Sequence, residues 1–387
     1  MSVTAPKGFV AGGVAAGIKA SGDPDLSLVA TASGQPVASA GVFTSNKMTA
    51  APVIITSRHL EKTGGRSTAV ILNSGNANAA MGEQGQRDAI AMCEAVAAQL
   101  GCDPHEVLVC STGLIGVPMP IETVLAGVPA LAAALAPDGG AAAAEAIRTT
   151  DTRRKEVVID GPGFTIGGMA KGAAMLEPNM ATMLAVLTTD AQAEPEQLKA
   201  ALLFGIESSF NALSTDGCRS TNDTVLLFAS GVKGAVAQAD LDAAVAAACA
   251  SLAAQMAGDA EGATKVVRMT VTGAASDAEA KQGARKVADS SLCKCSWYGQ
   301  DPYWGRIASE LGSAGIAFEQ AKVSVSYGGV TVAAGGINID HDAAAVAAHM
   351  AGRELEIVAD LGIGSGTGTI LTNDLTHAYV DENMGTS

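Results

Sequence analysis

Lys171-Gly172-Ala173-Ala174-Met175-Leu176-Glu177-Pro178-Asn179-Met180-Ala181-Thr182-Met183-Leu184-Ala185-Val186-Leu187-Thr188-Thr189-Asp190 is the stretch on which the reading of this chain turns. Pro178 fixes its own φ and pushes Glu177 out of helical geometry, which predicts a turn or extended loop leading to Thr182. Met183 to Leu187 is an unbroken apolar run, the pattern of a buried strand. Thr182 therefore stands where a polar loop meets a strand. Such a threonine becomes an N-terminal nucleophile if the bond before it is cut. The freed α-amino group has an ordinary pKa of about 7.7–8.0 and can take the proton of its own hydroxyl at neutral pH. By spacing alone, Thr182 does no more than begin a strand.

The rest of the chain narrows the class. At 387 residues it is too long for one ordinary core and predicts two or more structural units. Apolar residues make up 48% and aromatics only 3%, a composition that fits a globular enzyme. A net charge of −15, with no basic patch, argues against nucleic acid, because phosphate binding needs clustered Lys and Arg. The stretch from Met1 to Gly8 has no long apolar core of a signal peptide. The Ala-rich stretch Val124 to Ile147 is broken by Pro129, Pro137, Asp138, Gly139 and Gly140, so it predicts helices with a break and no membrane span. Seven cysteines, at 93, 102, 110, 218, 249, 293 and 295, form no regular framework and point to a reducing cytoplasm. Cys293-Lys294-Cys295 has no second pair beside it, and no metal site is expected.

Apolar runs alternate with Ala-rich helical patterns, which predicts an α/β or α+β layered fold. Strands are expected over 51–56, 67–72, 107–110, 183–188, 224–229, 266–271, 323–327 and 355–361, and helices over 86–100, 195–203, 240–256 and 277–288. Val358 to Gly368 looks at first like the glycine-rich first motif of a Rossmann methyltransferase, but too little chain follows Gly368 for the remaining βαβ units. That stretch is read as a hairpin, strand 355–361 returning as 369–371. No G-x-x-x-x-G-K-[ST] loop is present. None of the five histidines, at 59, 105, 341, 349 and 377, sits in a recognisable catalytic motif, so any nucleophile needs another base.

Other stretches carry polar residues at loop positions. Cys110-Ser111-Thr112-Gly113-Leu114-Ile115-Gly116 follows a predicted strand, where glycine lets backbone N–H groups converge on an anion and Thr112 adds a hydroxyl. Further segments are Ile147-Arg148-Thr149-Thr150-Asp151-Thr152, Asp216 to Thr224, Gly258-Asp259-Ala260-Glu261-Gly262-Ala263-Thr264-Lys265, Asn73 to Asn78, Asp301 to Arg306, and Asp374 to Asn383. Taken alone, Lys171 and Glu261 read as solvated surface charges.

Together these segments resemble the ornithine acetyltransferases, the arginine-biosynthesis family that includes glutamate N-acetyltransferases, over nearly the whole chain. Lys171, Gly172, Met175, Pro178, Ala181, Thr182, Met183 and Leu184 match its K-G-x-G-M-x-x-P-x-x-A-T-M-L processing run, with Ala174 where glycine is usual. The resemblance implies a layered α/β sandwich with a smaller C-terminal α/β lobe, and self-cleavage at Ala181–Thr182 into segments 1–181 and 182–387. It further implies acetyl transfer from N-acetylornithine to glutamate through acetyl-Thr182, with Thr112 and Gly113 as the oxyanion hole. Thr149, Lys171, Thr182, Glu261, Asn383 and Ser387 are implied to hold substrate. No cofactor is implied, with acetyl-CoA open as a second acetyl donor; the assembly implied is an α₂β₂ heterotetramer of the cleaved chains, in the cytoplasm, away from membrane and nucleic acid. Arg148 replaces a usual methionine, Tyr303 a usual asparagine, and the ending Met384-Gly385-Thr386-Ser387 is one residue shorter than the family's.

Three other readings share some of these features. A self-cleaving amidohydrolase or aminopeptidase would use the same nucleophile and pass the acyl group to water, whereas Lys171, Glu261 and Asn383 favour an amino-acid acceptor. A clavulanate-pathway type of ornithine acetyltransferase would share the chemistry. An unprocessed ligand-binding relative would have no reason to keep the Ala181-Thr182 pair.

Overall fold

The computed structural model describes residues 2–175 and 183–385. Ala181, Thr182 and Ser387, together with the Glu177-Pro178 turn, lie outside the described residues. The chain divides into two compact units, Met1–Asn211 with Arg219–Met256, and Ala212–Cys218 with Ala257–Ser387.

The first unit contains two sheets. One runs in the order β1 (Phe9–Val14), β2 (Leu26–Thr31), β5 (Ala69–Asn73), β6 (Val107–Ser111). The other runs β4 (Arg66–Ser67), β3 (Val37–Phe43), β11 (Thr224–Ala229), β9 (Leu184–Thr189), β8 (Phe164–Lys171), β7 (Lys155–Gly161). Successive side chains of a strand point to opposite faces, and β2, β5, β6, β9 and β11 are buried on both, which is why they read as largely apolar runs. In β5 and β6, Val70, Leu72, Leu108 and Cys110 face Met169, Leu184, Val186, Leu226 and Phe228 of the second sheet. The alternate residues Ala69, Ile71, Val107 and Val109 pack on Met92, Cys93, Val96, Val124 and Leu131 of the helices Gly82–Leu100 and Ile121–Ala133. The helix Pro195–Glu207 packs on β3 and β11. The layers are helix, sheet, sheet, helix, the expected sandwich.

The two central strands of the second sheet come from beyond Thr182. β9 and β11 run parallel, with β11 paired antiparallel to β3 and β9 antiparallel to β8. Strands that precede position 182 therefore flank strands that follow it. Lys171 and Leu184 are register partners at the end of the β8–β9 ladder, so residues 172–183 join two neighbouring strands.

The second unit is a sheet in the order β10 (Leu213–Ser214), β17 (Gly366–Asn373), β12 (Val266–Ala274), β16 (Glu354–Asp360), β13 (Ser324–Tyr327), β14 (Val330–Ala334), β15 (Ile337–Asn338). In β16, buried Leu355, Ile357 and Ala359 alternate with exposed or half-buried Glu354, Glu356, Val358 and Asp360. The buried face packs on Ala284, Val287, Trp297, Ile307, Leu311 and Met350 of the covering helices, an α/β layer in its own right. Among the described residues, no helix is long and apolar enough to cross a membrane.

Two sequence expectations are corrected. Residues 51–56 are not a strand but open the helix Ala51–Lys62. Their β-branched run suggested extension, yet Pro52 fits the first turn and the buried residues Pro52, Ile55, Thr56 and His59 fall at helical spacing. The stretch 355–371 is not a hairpin. β16 and β17 lie on either side of β12, parallel and antiparallel to it respectively. The connection crosses the end of β12, where Leu361 N donates to Thr272 O (2.9 Å) and Ile363 N to Gly273 O (2.8 Å). A Cβ on Gly364 would lie 2.3 Å from Ala274 O, and one on Gly366 2.2 Å from Ser276 C. The glycines of this loop allow a close backbone crossing.

Candidate active site

In the first unit, β6 ends at Ser111 and delivers Thr112 and Gly113 beside the loop after β5. Thr112 N donates to Asn73 O at 3.0 Å, and Thr112 forms a bridge with Asn76. That loop is fixed by its own amides, with Asn73 Nδ2 on Asn76 O (2.8 Å) and Asn76 Nδ2 on Val117 O (3.1 Å). Gly113 has φ +134°, and a Cβ there would sit 2.3 Å from Gly75 C. Only glycine fits this approach. Lys171, buried at the end of β8, donates from Nζ to Thr112 Oγ1 at 3.2 Å. The hydroxyl accepts from the ammonium and keeps its own hydrogen to donate.

Asp151 ties Thr149 and Lys171 into the same neighbourhood. Its Oδ1 accepts from Lys155 Nζ (2.5 Å) and Gly172 N (2.7 Å), and its Oδ2 from Thr149 N (3.2 Å). Burial pushes this carboxyl up, but the charges of Lys171 and Lys155, with the Lys155 and Gly172 hydrogen bonds, outweigh it and hold it at about 2. Arg148 pairs with Glu145 and donates through Nε (3.1 Å) and Nη2 (2.7 Å) to Asp151 O, clasping the Thr149–Asp151 turn.

A second buried acid lies near Lys171. Asp223, which immediately precedes β11, is 1% exposed. Burial raises its carboxyl well above the ordinary range, against the lowering effect of the Met183 N–H, the Ser220 hydroxyl and the Lys171 charge.

In the second unit, Glu261 sits in the loop between the helix Gln238–Ala257 and β12. Asn383 Nδ2 donates to Glu261 Oε2 at 2.8 Å, so two of the residues expected to hold substrate meet directly. Asp374 locks the loop by accepting from Thr264 N and Lys265 N, both at 2.9 Å. Thr376 Oγ1 donates to Gly262 O at 2.7 Å, and Tyr379 OH to Asp216 Oδ2 at 3.3 Å. Burial, then the Asp216 and Glu261 charges, push the Tyr379 phenol up. Lys294 lies inside this unit with Nζ on Thr215 O (2.8 Å), Thr372 Oγ1 (2.6 Å) and Asn373 O (3.0 Å). Burial brings its pKa down to about 8 against nearby Asp289, Asp216 and Asp374. Tyr303 is exposed, with Arg306 6.0 Å over its ring.

Sequence reasoning passed over Asp151, Asp223, Lys294 and Tyr379. Asp151, Asp223 and Tyr379 lie within the matched stretches, but nothing in a sequence marks a carboxylate as buried. Lys294 was set aside with the cysteines around it.

Residues 10–385 match the model of the ArgJ family. An arginine biosynthesis bifunctional protein ArgJ of Streptomyces coelicolor is 48% identical over 389 residues, spanning 100% of both chains. Its counterpart in Mycolicibacterium paratuberculosis is 49% identical over 394 residues, 100% of this chain and 96% of that one. A solved ornithine acetyltransferase of Mycobacterium tuberculosis, complexed with ornithine, is 47% identical over 46% of this chain and 96% of that chain, with a TM-score of 0.42.

Proposed function

The chain belongs to the ArgJ family, and from that premise we propose that it transfers the acetyl group of N-acetylornithine to glutamate in arginine biosynthesis. The precursor cuts itself between Ala181 and Thr182, giving chains 1–181 and 182–387. The new α-amine of Thr182 takes the proton of its own hydroxyl as Oγ attacks the acetyl carbonyl. Thr112 and Gly113 stabilise the oxyanion. The proton passes to the departing amine of ornithine, and acetyl-Thr182 remains. The amine of glutamate then attacks the ester carbonyl, yields N-acetylglutamate, and returns the proton to Thr182 Oγ. Splitting one transfer into two acyl steps predicts ping-pong kinetics.

The observation that carries this reading is the meeting of Lys171 with Thr112 at the end of β8, where residues 172–183 begin. An ammonium against an oxyanion-hole hydroxyl, with Thr149 tied in through Asp151, suits an amino-acid substrate that carries a carboxylate. Glu261, bridged by Asn383, is the complement for an ammonium. Ser387 completes the set of residues expected to hold substrate. Acetyl-CoA as a second donor, an α₂β₂ assembly and a cytoplasmic setting belong to the same proposal.

Thr182→Ala tests it. The variant should remain one chain and release no ornithine from N-acetylornithine. Wild-type transfer by that variant would overturn the mechanism, and release of free acetate in place of N-acetylglutamate would turn the reading to a hydrolase.

A further inference from the structure

Lys19 and Asp25 are charged groups that the mechanism above does not use, and both stand behind the candidate site of the first unit. Asp25, fully buried just before β2, gathers four consecutive amides of the loop that follows β1. Its Oδ1 accepts from Ala16 N (2.6 Å), and its Oδ2 from Gly17 N (3.1 Å), Ile18 N (2.6 Å) and Lys19 N (3.0 Å). Successive N–H groups that converge in this way form a concave anion site, and here the chain's own carboxylate fills it. Hydrogen bonds to a carboxylate are among the strong ones, so the loop is held in one conformation.

That loop is tied to both parts of the site. Gly75 lies against it: a Cβ there would stand 3.2 Å from both Ile18 Cγ2 and Lys19 Cγ, and Gly113 in turn packs on Gly75. Ser74 N, next to Gly75, donates to Asp25 O at 2.9 Å. In the other direction, Lys19 Nζ reaches 129 residues along the chain to donate to Arg148 O (2.7 Å), and it also donates to Pro24 O (2.9 Å). Arg148 O belongs to the same peptide as the Thr149 N–H, which donates to Asp151 Oδ2 at 3.2 Å. Lys19 holds this peptide at its oxygen and Asp151 at its nitrogen, which fixes its plane. Burial lowers the Lys19 pKa, against the charges of Asp25 and Asp23, so keeping the ammonium here has a cost. A lysine that merely covered the surface would turn its ammonium to water.

We propose that Lys19 is a positioning residue for substrate binding: its ammonium, aimed by the loop around Asp25, fixes the Arg148–Thr149 peptide relative to Gly113, so that Thr149 meets the substrate lying on Thr112 and Gly113. This rests on the reading of Thr149 as a substrate contact given above. Lys19 touches neither the acetyl group nor the nucleophile and exchanges no proton. It acts through Thr149.

A residue of this kind moves KM more than kcat, because it aims a binding group and leaves the oxyanion donors on their own supports. Lys19→Met keeps the stem against Gly75 and removes the ammonium. It should raise KM for N-acetylornithine about tenfold, with kcat within about threefold of wild type, in a steady-state assay of ornithine release. A double-mutant cycle with Thr149→Ala then separates positioning from general support. Once Thr149 is alanine, Lys19→Met should raise KM by less than about twofold more. Lys19→Gln, one atom shorter and still a donor, takes the place of Lys19→Met in the cycle if that variant does not fold. Wild-type KM in the folded Lys19 variant, a loss confined to kcat, or losses that add in full with an impaired Thr149→Ala would each overturn the proposal. Thr149→Ala measured alone keeps the two readings apart: wild-type KM there sinks the assignment of Thr149 as a substrate contact, and the role of Lys19 with it.

Discussion

Gly113 shows how narrowly one position can be specified. At φ +134°, with Gly75 C 2.3 Å from where a Cβ would stand, it admits no side chain without moving the loop after β5. Gly113→Ala should therefore shift the proposed oxyanion donors and lower kcat by about 10²–10³, with KM little changed, in a steady-state assay of ornithine release. Asp151 makes a different prediction, about stability. Its folded pKa of about 2 lies below the ordinary carboxylate value, so the stability it contributes is fully present above about pH 4 and lost as pH falls toward 2. The loss should be about 2 kcal/mol, read as a fall in denaturant midpoint between pH 5 and pH 2, and Asp151→Asn should abolish this part of the fall. The strand-to-turn position of Thr112 and Gly113 is legible in the sequence, whereas Lys171 and Glu261 read alone as solvated charges and are singled out only by the family resemblance; in the fold both are buried. Asp151 and Asp223 are not legible there, because their importance lies in burial and in groups distant along the chain, as in the tie from Asp151 to Gly172, 21 residues on, and the Lys171 charge near Asp223.

At the scale of elements, strands buried on both faces were the easiest to read. β11 was anticipated at Thr224–Ala229 and β9 within a residue, since their apolar runs need no partner to be recognised. The helix Ala51–Lys62 was missed because a β-branched run and a proline at a helix start look extended until the buried face is known. The pairing of β16 and β17 was missed for a topological reason: local sequence cannot show that β12, nearly ninety residues earlier, lies between them. The sheet order makes a prediction of its own. With β9 and β11 flanked by β8 and β3, a cut at Ala181–Thr182 leaves each chain hydrogen-bonded to the other through two strand ladders. The two chains should co-elute in native size-exclusion chromatography and part only in denaturant. A second chain that separated in native buffer would contradict this pairing.

For the whole molecule, the compact units and the cleavage products are different divisions of one chain. The first unit holds residues from both sides of position 182, and the second contains only residues that follow it. The proposed cleavage at Ala181–Thr182 would therefore divide the chain of the first unit and leave that of the second uncut. The most direct test is intact mass spectrometry of the purified protein, with N-terminal sequencing, before and after brief mixing with N-acetylornithine. The prediction is two chains, the second beginning Thr182-Met183-Leu184 and gaining one acetyl group on mixing. A single chain of 38.5 kDa, or a second chain that never takes up acetyl, would contradict it.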